Sequence, residues 1–295
     1  MIIDAHLHVF RPATSDYPRP VDDLAPAERQ APVEDLLAVM AGAGVDRAVL
    51  VPLGPEDRYV AECRAAHPDR FVSIGVADDD VTGRTPGIDP VPALDRRATA
   101  AGFSGLRMNW LGDPGTPVTE SPAWPTLRYL ADHGLVVWYY APPEQLPLLD
   151  QALTALPDLR VVLNHLGFCP PASGSGWVLA VDEHRRPRIA AELPPPTLPD
   201  VLALARHPGV RVHFSGQYAF TRTDFPYADL APIGQALYAA FGADRLMWAS
   251  DYPWVRDVPG YARLPAIPDA HLPGLTAAER DAILGGTAAR LFTWA

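Results

Sequence analysis

The chain has 295 residues, a formal net charge of -11 at pH 7, 48% hydrophobic residues and 20% charged residues. This length suits one α/β barrel of ordinary size, and the apolar share suits a globular protein with a large core. The negative charge, without any basic run, argues against nucleic acid or an anionic membrane as a partner. No stretch reaches about 18 uninterrupted apolar residues, so we expect no membrane span and a small-molecule partner instead.

The basic residues and the cysteines exclude several kinds of catalytic and structural chemistry. All 24 basic residues are arginine, so Schiff-base catalysis by lysine and a two-metal site bridged by a modified lysine are excluded. The two cysteines, Cys63 and Cys169, are too few for a disulfide framework in a chain of this length. The first residues lack the charged and apolar segments of a secretory signal, so we expect a reduced, cytoplasmic setting.

Short apolar runs alternate with helical stretches eight times. The predicted strands are 1–8, 46–53, 70–77, 103–109, 135–141, 159–165, 210–215 and 245–251. The predicted helices are 33–43, 56–67, 91–101, 122–133, 144–156, 198–207, 228–241 and 276–292. The β-branched and aromatic content of the runs, at spacings of roughly 20–45 residues, fits parallel strands joined by helical crossovers.

Eight strand–helix units in one domain, 1–295, predict an α/β fold, a single (β/α)8 TIM barrel. An open doubly wound sheet is the alternative, but no Gly-x-Gly-x-x-Gly follows the first strand. The Pro-rich residues 10–32 predict a long loop after strand 1. Residues 168–197 are too long for an ordinary connection and predict an insertion after strand 6, which could be a lid, an oligomer contact or a mobile flap.

The first predicted strand ends in a His-x-His pair. A strand with a side-chain period of two places His6 and His8 on one face, with Asp4 below them. Imidazoles about 6–7 Å apart on one face can converge on a single ion or substrate. The pair alone is a weak motif, but active sites of this fold lie at the C-terminal strand ends, which makes it a candidate site.

Polar residues recur at the predicted ends of later strands. They are Arg107 and Asn109 on strand 4, Tyr140 on strand 5, Asn164 and His165 on strand 6, His213 and Ser215 on strand 7, and Asp251 and Trp254 on or after strand 8. Buried polar groups at apolar strand ends cost stability unless they are paired, so this coincidence indicates a functional site.

Several of these residues also have structural interpretations. His165 could be a core histidine bonded to backbone, and Arg107 could be an ion-pair partner. Asp251 could start a turn before the Tyr-Pro that follows it, and for His213 we favour a structural role. Packing does not explain why His165 and Asp251 accompany the first-strand histidines at the same end of the barrel.

Six stretches carry a resemblance to a known family. They are Ile3-Asp-Ala-His-Leu-His8, Gly105-Leu-Arg-Met-Asn109, Val162-Leu-Asn-His-Leu-Gly167, Phe214-Ser-Gly216, Ala249-Ser-Asp-Tyr-Pro-Trp254 and Ile283-Leu-Gly-Gly-Thr-Ala-Ala-Arg-Leu-Phe292. In this order they resemble the amidohydrolase-related family, particularly its branch of sugar-lactone and dicarboxylate-lactone hydrolases. The resemblance implies a (β/α)8 hydrolase whose first-strand histidines and last-strand aspartate line the reaction centre, often around one divalent metal.

The resemblance also implies roles for single residues. His6, His8 and Asp251 would bind one divalent metal, zinc or manganese, or polarise the substrate if catalysis is metal-independent. Asp251 would also be the general base, and His165 would contact the carbonyl oxygen or the metal-bound water.

Four further residues would contact the substrate. Arg107 would bind a substrate carboxylate or hydroxyl, Asn109 and Tyr140 would orient the substrate, and Trp254 would form a pocket wall. Tyr140 departs from the histidine that metal-dependent members often carry at the end of strand 5, and Asn164 departs from the aspartate of related lactonases.

We therefore predict a hydrolase that opens a lactone, a sugar lactone or a carboxylated one, by water attack on the carbonyl. The alternatives are a metal-dependent decarboxylase of the same superfamily and, from another class, a non-catalytic ligand-binding barrel. Barrels of this type often pair, so a homodimer is a further expectation. The loops 10–32, 110–121, 168–197 and 252–272 are expected to set specificity.

Overall fold

The computed structural model describes residues 1–171 and 178–294. The strands are Ile3–Leu7 (β1), Arg47–Leu50 (β2), Phe71–Ser73 (β3), Gly75–Val76 (β4), Gly105–Met108 (β5), Val136–Tyr139 (β6), Arg160–Leu163 (β7), Val178–Val181 (β8), Pro187–Ile189 (β9), Val210–Phe214 (β10) and Leu246–Trp248 (β11).

Helices follow most of the parallel strands. The α-helices are Val33–Ala43 (α1), Arg58–Ala66 (α2), Pro90–Ala101 (α3), Trp124–Asp132 (α4), Leu146–Ala155 (α5), Leu198–Ala203 (α6), Gln217–Phe220 (α7), Ala231–Phe241 (α8), Ile267–His271 (α9), Ala277–Asp281 (α10) and Thr287–Leu291 (α11). Short 3₁₀ segments lie at Val118–Glu120, Pro143–Gln145, His165–Gly167, Leu204–Arg206, Ala228–Leu230, Ala243–Arg245 and Tyr261–Ala266, and π segments at Arg256–Gly260 and Ala282–Gly286.

The parallel strands follow one another in chain order around a barrel. β1, β2 and β3 pair in that order, and β4, β5, β6, β7, β10 and β11 pair in the next stretch of sheet. β3 and β4 are two parts of one predicted strand, separated at Ile74, whose backbone N–H donates to Leu50.

Backbone hydrogen bonds also join the two ends of this order. Asp251 donates to the carbonyl of His6 over 3.0 Å, and His8 donates to the carbonyl of Tyr252 over 2.7 Å. The predicted α/β (β/α)8 TIM barrel is therefore confirmed, and its first and last strands are neighbours.

A β-bulge in β1 changes the predicted direction of its side chains. Asp4 pairs with Ala48 but Leu7 pairs with Leu50, so β1 carries one residue more than β2 over this interval. Ile3 and Ala5 belong to the inner cluster with alternate residues of the other strands, and because of the extra residue His6 points to the same side as Ala5. The prediction that Asp4 shares a face with the histidines is wrong.

Two predicted strands end earlier than the sequence pattern suggests. Strand 159–165 ends at Leu163, and His165 lies in the following turn with φ of 45°. Strand 245–251 ends at Trp248, and Asp251 lies in the next loop with φ of 63°. Both residues lie in the left-handed region that side chains rarely adopt, which is a common feature of active-site residues.

The structure describes the predicted loop 10–32 completely and the predicted insertion 168–197 in part. In the loop 10–32 the Arg19 side chain donates to several backbone carbonyls, among them those of Ala25, Pro26 and Arg29. In the insertion 168–197, residues 172–177 lie outside the described residues, and β8 and β9 form an antiparallel hairpin that the sequence did not predict. Within the described ranges, no helix is long and apolar enough to cross a membrane.

Candidate active site

His6, His8 and Asp251 meet at the C-terminal end of the barrel, where β1 and the loop after β11 are joined by backbone hydrogen bonds. Oδ1 of Asp251 lies 3.6 Å from Nε2 of His6 and 3.4 Å from Nε2 of His8. The three residues are 0–6% exposed, so each polar atom here depends on its protein neighbours or on a ligand.

The Asp251 carboxylate is fixed by its neighbours on one oxygen only. Tyr218 donates a hydrogen bond of 2.7 Å to Oδ2, whereas Oδ1 is buried without a hydrogen-bond partner among the described residues. Burial by itself raises the pKa of Asp251, but the imidazoles of His165 and His8 and the Tyr218 hydroxyl outweigh it and lower the pKa to about 2. The side chain is therefore a carboxylate at neutral pH.

The Nδ1 atoms of the two first-strand histidines have opposite hydrogen-bonding roles. Nδ1 of His8 contacts the carbonyl of Val51 at 2.8 Å, so it is the donor, and a neutral imidazole in this arrangement has its lone pair on Nε2. Nδ1 of His6 instead accepts a hydrogen bond of 2.8 Å from the indole N–H of Trp138 on β6. Burial, followed by the neighbouring His8 and His165, lowers the pKa of His6 well below its usual value, so His6 is neutral.

His165 lies across the site from the first-strand histidines, in the turn after β7. Its Nδ1 lies 3.1 Å from the Ser215 hydroxyl and its Nε2 lies 4.0 Å from Oδ2 of Asp251. Burial lowers the pKa of His165 to about 4, although the Asp251 carboxylate opposes this change. Gly216 has φ of 79°, and a Cβ there would lie 2.9 Å from the His165 Cβ, so glycine makes room for this imidazole.

The residues predicted to contact substrate are placed unevenly around this centre. The Arg107 guanidinium lies 4.9 Å from the centre of the Tyr140 ring, and that ring lies 5.2 Å from His165. Trp254 lies 6.2 Å from the His8 ring, measured between ring centres. Asn109 is exposed, beyond the end of β5. Arg107, Tyr140 and Trp254 therefore border the centre, whereas Asn109 lies towards solvent.

The Arg107 guanidinium has an unusual environment for a charged group. Burial lowers the pKa of Arg107, although Tyr140 and Asp251 oppose this change. Among the described residues, no carboxylate lies within 4.0 Å of it, and no protein acceptor receives a hydrogen bond from it. The alternative interpretation of Arg107 as a structural ion-pair partner is therefore not supported.

Sequence reasoning did not identify two residues that contact the site. Tyr218 lies on α7, two residues beyond the matched Phe214-Ser-Gly216 stretch. Its position just after a barrel strand is the sequence feature that could have indicated a site residue. Trp138 was assigned to strand 5 without a role, but it has the same parity as Tyr140 and so faces the barrel interior. His213 is buried, bonds to Asn164 Oδ1 over 3.0 Å and lies 4.5 Å from Trp138 between ring centres.

The donor atoms of His6, His8 and Asp251 are suited to one divalent metal. Their candidate ligand atoms all lie within 4.8 Å of one another. Among the described residues, Oδ1 of Asp251 is buried without a hydrogen-bond partner, which is the condition that a bound cation would relieve. Two imidazole nitrogens and one carboxylate oxygen are ligands typical of a catalytic zinc site with an open position.

Comparison with known proteins identifies one family profile and several similar hydrolases. The amidohydrolase family profile matches residues 3–294. An L-fucono-1,5-lactonase from Burkholderia ambifaria is 28% identical over 264 residues, covering 85% of this chain and 80% of that protein. The structure of a protein assigned as a 2-pyrone-4,6-dicarboxylic acid hydrolase from Pseudomonas putida matches with a TM-score of 0.71 and 25% identity, covering 98% of this chain and 96% of that one.

A third match concerns metal binding. The structure of an amidohydrolase from Burkholderia multivorans, with zinc bound, matches with a TM-score of 0.72 and 22% identity over 100% of both chains. At this identity the match supports the fold. The family profile, however, covers nearly the whole of this chain, so the chain belongs to the amidohydrolase family.

Proposed function

We propose that this protein is a hydrolase that opens a lactone by attack of water on the ring carbonyl. The observation that carries the proposal is the ionised Asp251, with one oxygen free, facing three imidazoles at the C-terminal end of the barrel. A relative that is a lactonase and a similar structure assigned as a lactone-opening hydrolase support the same reaction.

In this proposal Asp251 is the general base. Its hydrogen bond from Tyr218 fixes Oδ2, so Oδ1 is the oxygen that accepts the proton of the attacking water. The same carboxyl then returns the proton to the leaving oxygen of the opened ring. A divalent metal bound by His6, His8 and Asp251 would supply Lewis-acid polarisation of the carbonyl.

His165 is proposed to stabilise the negative charge that develops on the carbonyl oxygen. When the Ser215 hydroxyl donates to Nδ1, the neutral imidazole carries its proton on Nε2, which faces the centre. A donor that is already in position before the reaction stabilises the developing charge without a cost of reorganisation. Gly216 maintains this position, since any larger residue would displace His165.

Arg107 favours a lactone that carries a carboxylate over a neutral sugar lactone. A half-buried guanidinium without a protein carboxylate is costly unless a ligand supplies the opposite charge. We propose that it binds a substrate carboxylate, with Tyr140 and Trp254 beside the bound ring and Asn109 at the exposed rim. The substrate is thus a small anionic molecule.

A substrate panel tests the reaction. Purified protein is incubated with neutral sugar lactones and with carboxylated lactones, and acid release and carbon dioxide are both measured. We expect acid release without carbon dioxide, fastest on carboxylated lactones, and a loss of about 10²–10⁴-fold in Asp251→Asn. Full activity in a folded Asp251→Asn protein would refute the proposed base.

The same panel separates the alternatives. Carbon dioxide release from a carboxylated substrate would indicate the decarboxylase, whose support here is limited to the shared fold. Saturable binding of a lactone without turnover would indicate a ligand-binding barrel. Arg107→Met is the companion variant: it should lose activity on carboxylated lactones and keep it on neutral ones.

A further inference from the structure

The hydrogen bond between Trp138 and His6 determines where His6 carries its proton. An indole N–H can only donate, so Nδ1 of His6 must present its lone pair at the 2.8 Å contact. A neutral imidazole with an unprotonated Nδ1 carries its proton on Nε2. That nitrogen is the one that lies 3.6 Å from Oδ1 of Asp251.

His8 shows the opposite arrangement, which is the usual one for a metal ligand. Its Nδ1 donates to the Val51 carbonyl, so Nε2, on the side of Asp251, is the nitrogen that a neutral His8 offers to a metal. A metal-binding histidine almost always donates from its other nitrogen in this way. A metal-binding histidine needs a hydrogen-bond acceptor beside its other ring nitrogen. At Nδ1 of His6 that place is taken by a donor, the indole N–H of Trp138.

We infer that Trp138 opposes metal binding at the His6–His8–Asp251 centre by keeping the proton of His6 on its ligating nitrogen. Before Nε2 can bind a metal, the proton must move to Nδ1, and the Nδ1 proton then faces the indole proton. The Trp138–His6 hydrogen bond is lost in that state, and both groups are buried. Trp138 is therefore a positioning residue that acts through His6.

The residues packed around Trp138 prevent its side chain from turning away from His6. Its side chain is fully buried in the barrel interior, with the centre of its ring 4.5 Å from that of His213 and 5.9 Å from that of Phe292. Close packing of this kind leaves no alternative rotamer without moving the neighbours. The indole N–H thus stays directed at His6 when a metal arrives.

In the absence of a metal, the Nε2 proton of His6 stabilises the centre. With Nε2–H on His6, the unpaired Oδ1 of Asp251 faces a donor, although at 3.6 Å the contact is long. The arrangement offsets the negative charge of Asp251 without a cation. Trp138 thus stabilises the centre in the state without metal.

Zinc affinity is the direct test. Metal-stripped wild-type protein, Trp138→Phe and Trp248→Phe are titrated with zinc in competition with a chromophoric chelator. Trp248→Phe is the matched control, because Trp248 is also a fully buried barrel tryptophan but its indole N–H has no partner in the described structure. We expect Trp138→Phe to bind zinc about 10–100-fold more tightly, the range typical of partners of metal ligands.

The control should bind zinc like the wild type. Equal or weaker zinc binding by folded Trp138→Phe would overturn the inference, and so would an equal gain in Trp248→Phe. Circular dichroism of each variant establishes that it is folded.

Nitrogen NMR tests the same point in the unmodified protein. The imidazole nitrogens of the metal-stripped wild type are observed in ¹⁵N-histidine-labelled protein, and His6 is assigned from the signals lost in His6→Gln. We expect a protonated Nε2 and an unprotonated Nδ1. A protonated Nδ1 at His6 would overturn the inference even if Trp138→Phe did not fold.

Discussion

Tyr218 donates its phenolic proton to Oδ2 of Asp251 over 2.7 Å, and this bond leaves Oδ1 as the carboxylate oxygen that faces His6 and His8. The two residues come from different parts of the barrel, α7 after β10 and the loop after β11. Tyr218 thereby orients the group that we propose as the base and also stabilises its charged form.

Replacing Tyr218 with phenylalanine should affect activity and its pH dependence together. The hydroxyl lowers the pKa of Asp251, so its removal raises that pKa and moves the acid limb of kcat/KM to higher pH. A hydrogen bond to a charged group contributes about 1.5–3 kcal/mol, so we expect kcat to fall about 10–100-fold. Steady-state kinetics on the identified lactone, extended below pH 4 over the range in which both proteins stay folded, provide the measurement.

Tyr227→Phe is the control for this variant. Tyr227 is also buried, but its hydroxyl has no hydrogen-bond partner within the described ranges. Its replacement should leave kcat and the acid limb unchanged. An unchanged pH profile in Tyr218→Phe would show that the hydroxyl does not support the ionised Asp251.

Gly216→Ala should inactivate the enzyme by displacing His165. The added Cβ would lie 2.9 Å from the His165 Cβ, and φ of 79° is itself strained for alanine. We expect a stability loss of about 1–2 kcal/mol from the backbone and at least a tenfold fall in kcat. Gly44→Ala, with φ of 67° and no atom within 4 Å of its Cβ, should lose stability and keep kcat. Equal kcat in the two variants would contradict this role of Gly216.

Asp4→Asn should change how stability depends on pH. Burial, opposed by hydrogen bonds from Ser250 and Tyr261, raises the pKa of Asp4 to about 6. A carboxyl with a raised pKa stabilises the fold below its unfolded pKa, and this contribution is lost as pH rises through about 6. Between pH 4 and 7 we therefore expect the variant to gain up to about 3 kcal/mol relative to the wild type. Urea unfolding of both proteins at several pH values measures the difference, and a constant difference would contradict the raised pKa.

Arg19→Lys should loosen the loop 10–32 without unfolding the barrel. The guanidinium donates to several carbonyls of the loop, among them Ala25, Pro26 and Arg29, and a lysine ammonium cannot reproduce this fork. Since the Arg29 side chain lies over the ring of Trp254, we expect faster amide exchange across 10–32 and a raised KM. Arg280→Lys, at an exposed pair with Asp269, should change neither. Unaltered exchange in Arg19→Lys would show that the loop has other supports.

The pattern of apolar runs was enough to predict the barrel, because each strand and helix has its own periodicity in the sequence. α1 begins at Val33 and ends at Ala43 as predicted, since an apolar stripe and Gly44 define it locally. The polar strand ends likewise located His6, His8, His165 and Asp251, because the topology places all C-terminal strand ends together.

The sequence alone therefore determined the fold and the identity of the chemical groups, whereas the tertiary structure decided how those groups are oriented. The bulge in β1 places Asp4 and the histidines on different sides of the strand. The hydrophobic pattern of the sequence does not reveal an extra residue in one strand of a pair. Tyr218 and Trp138 reach Asp251 and His6 from elements distant in the chain, so their hydrogen bonds exist only once the barrel closes. Proton positions on buried imidazoles depend on such partners, which is why the state of the first-strand pair, with or without a metal, is decided by packing.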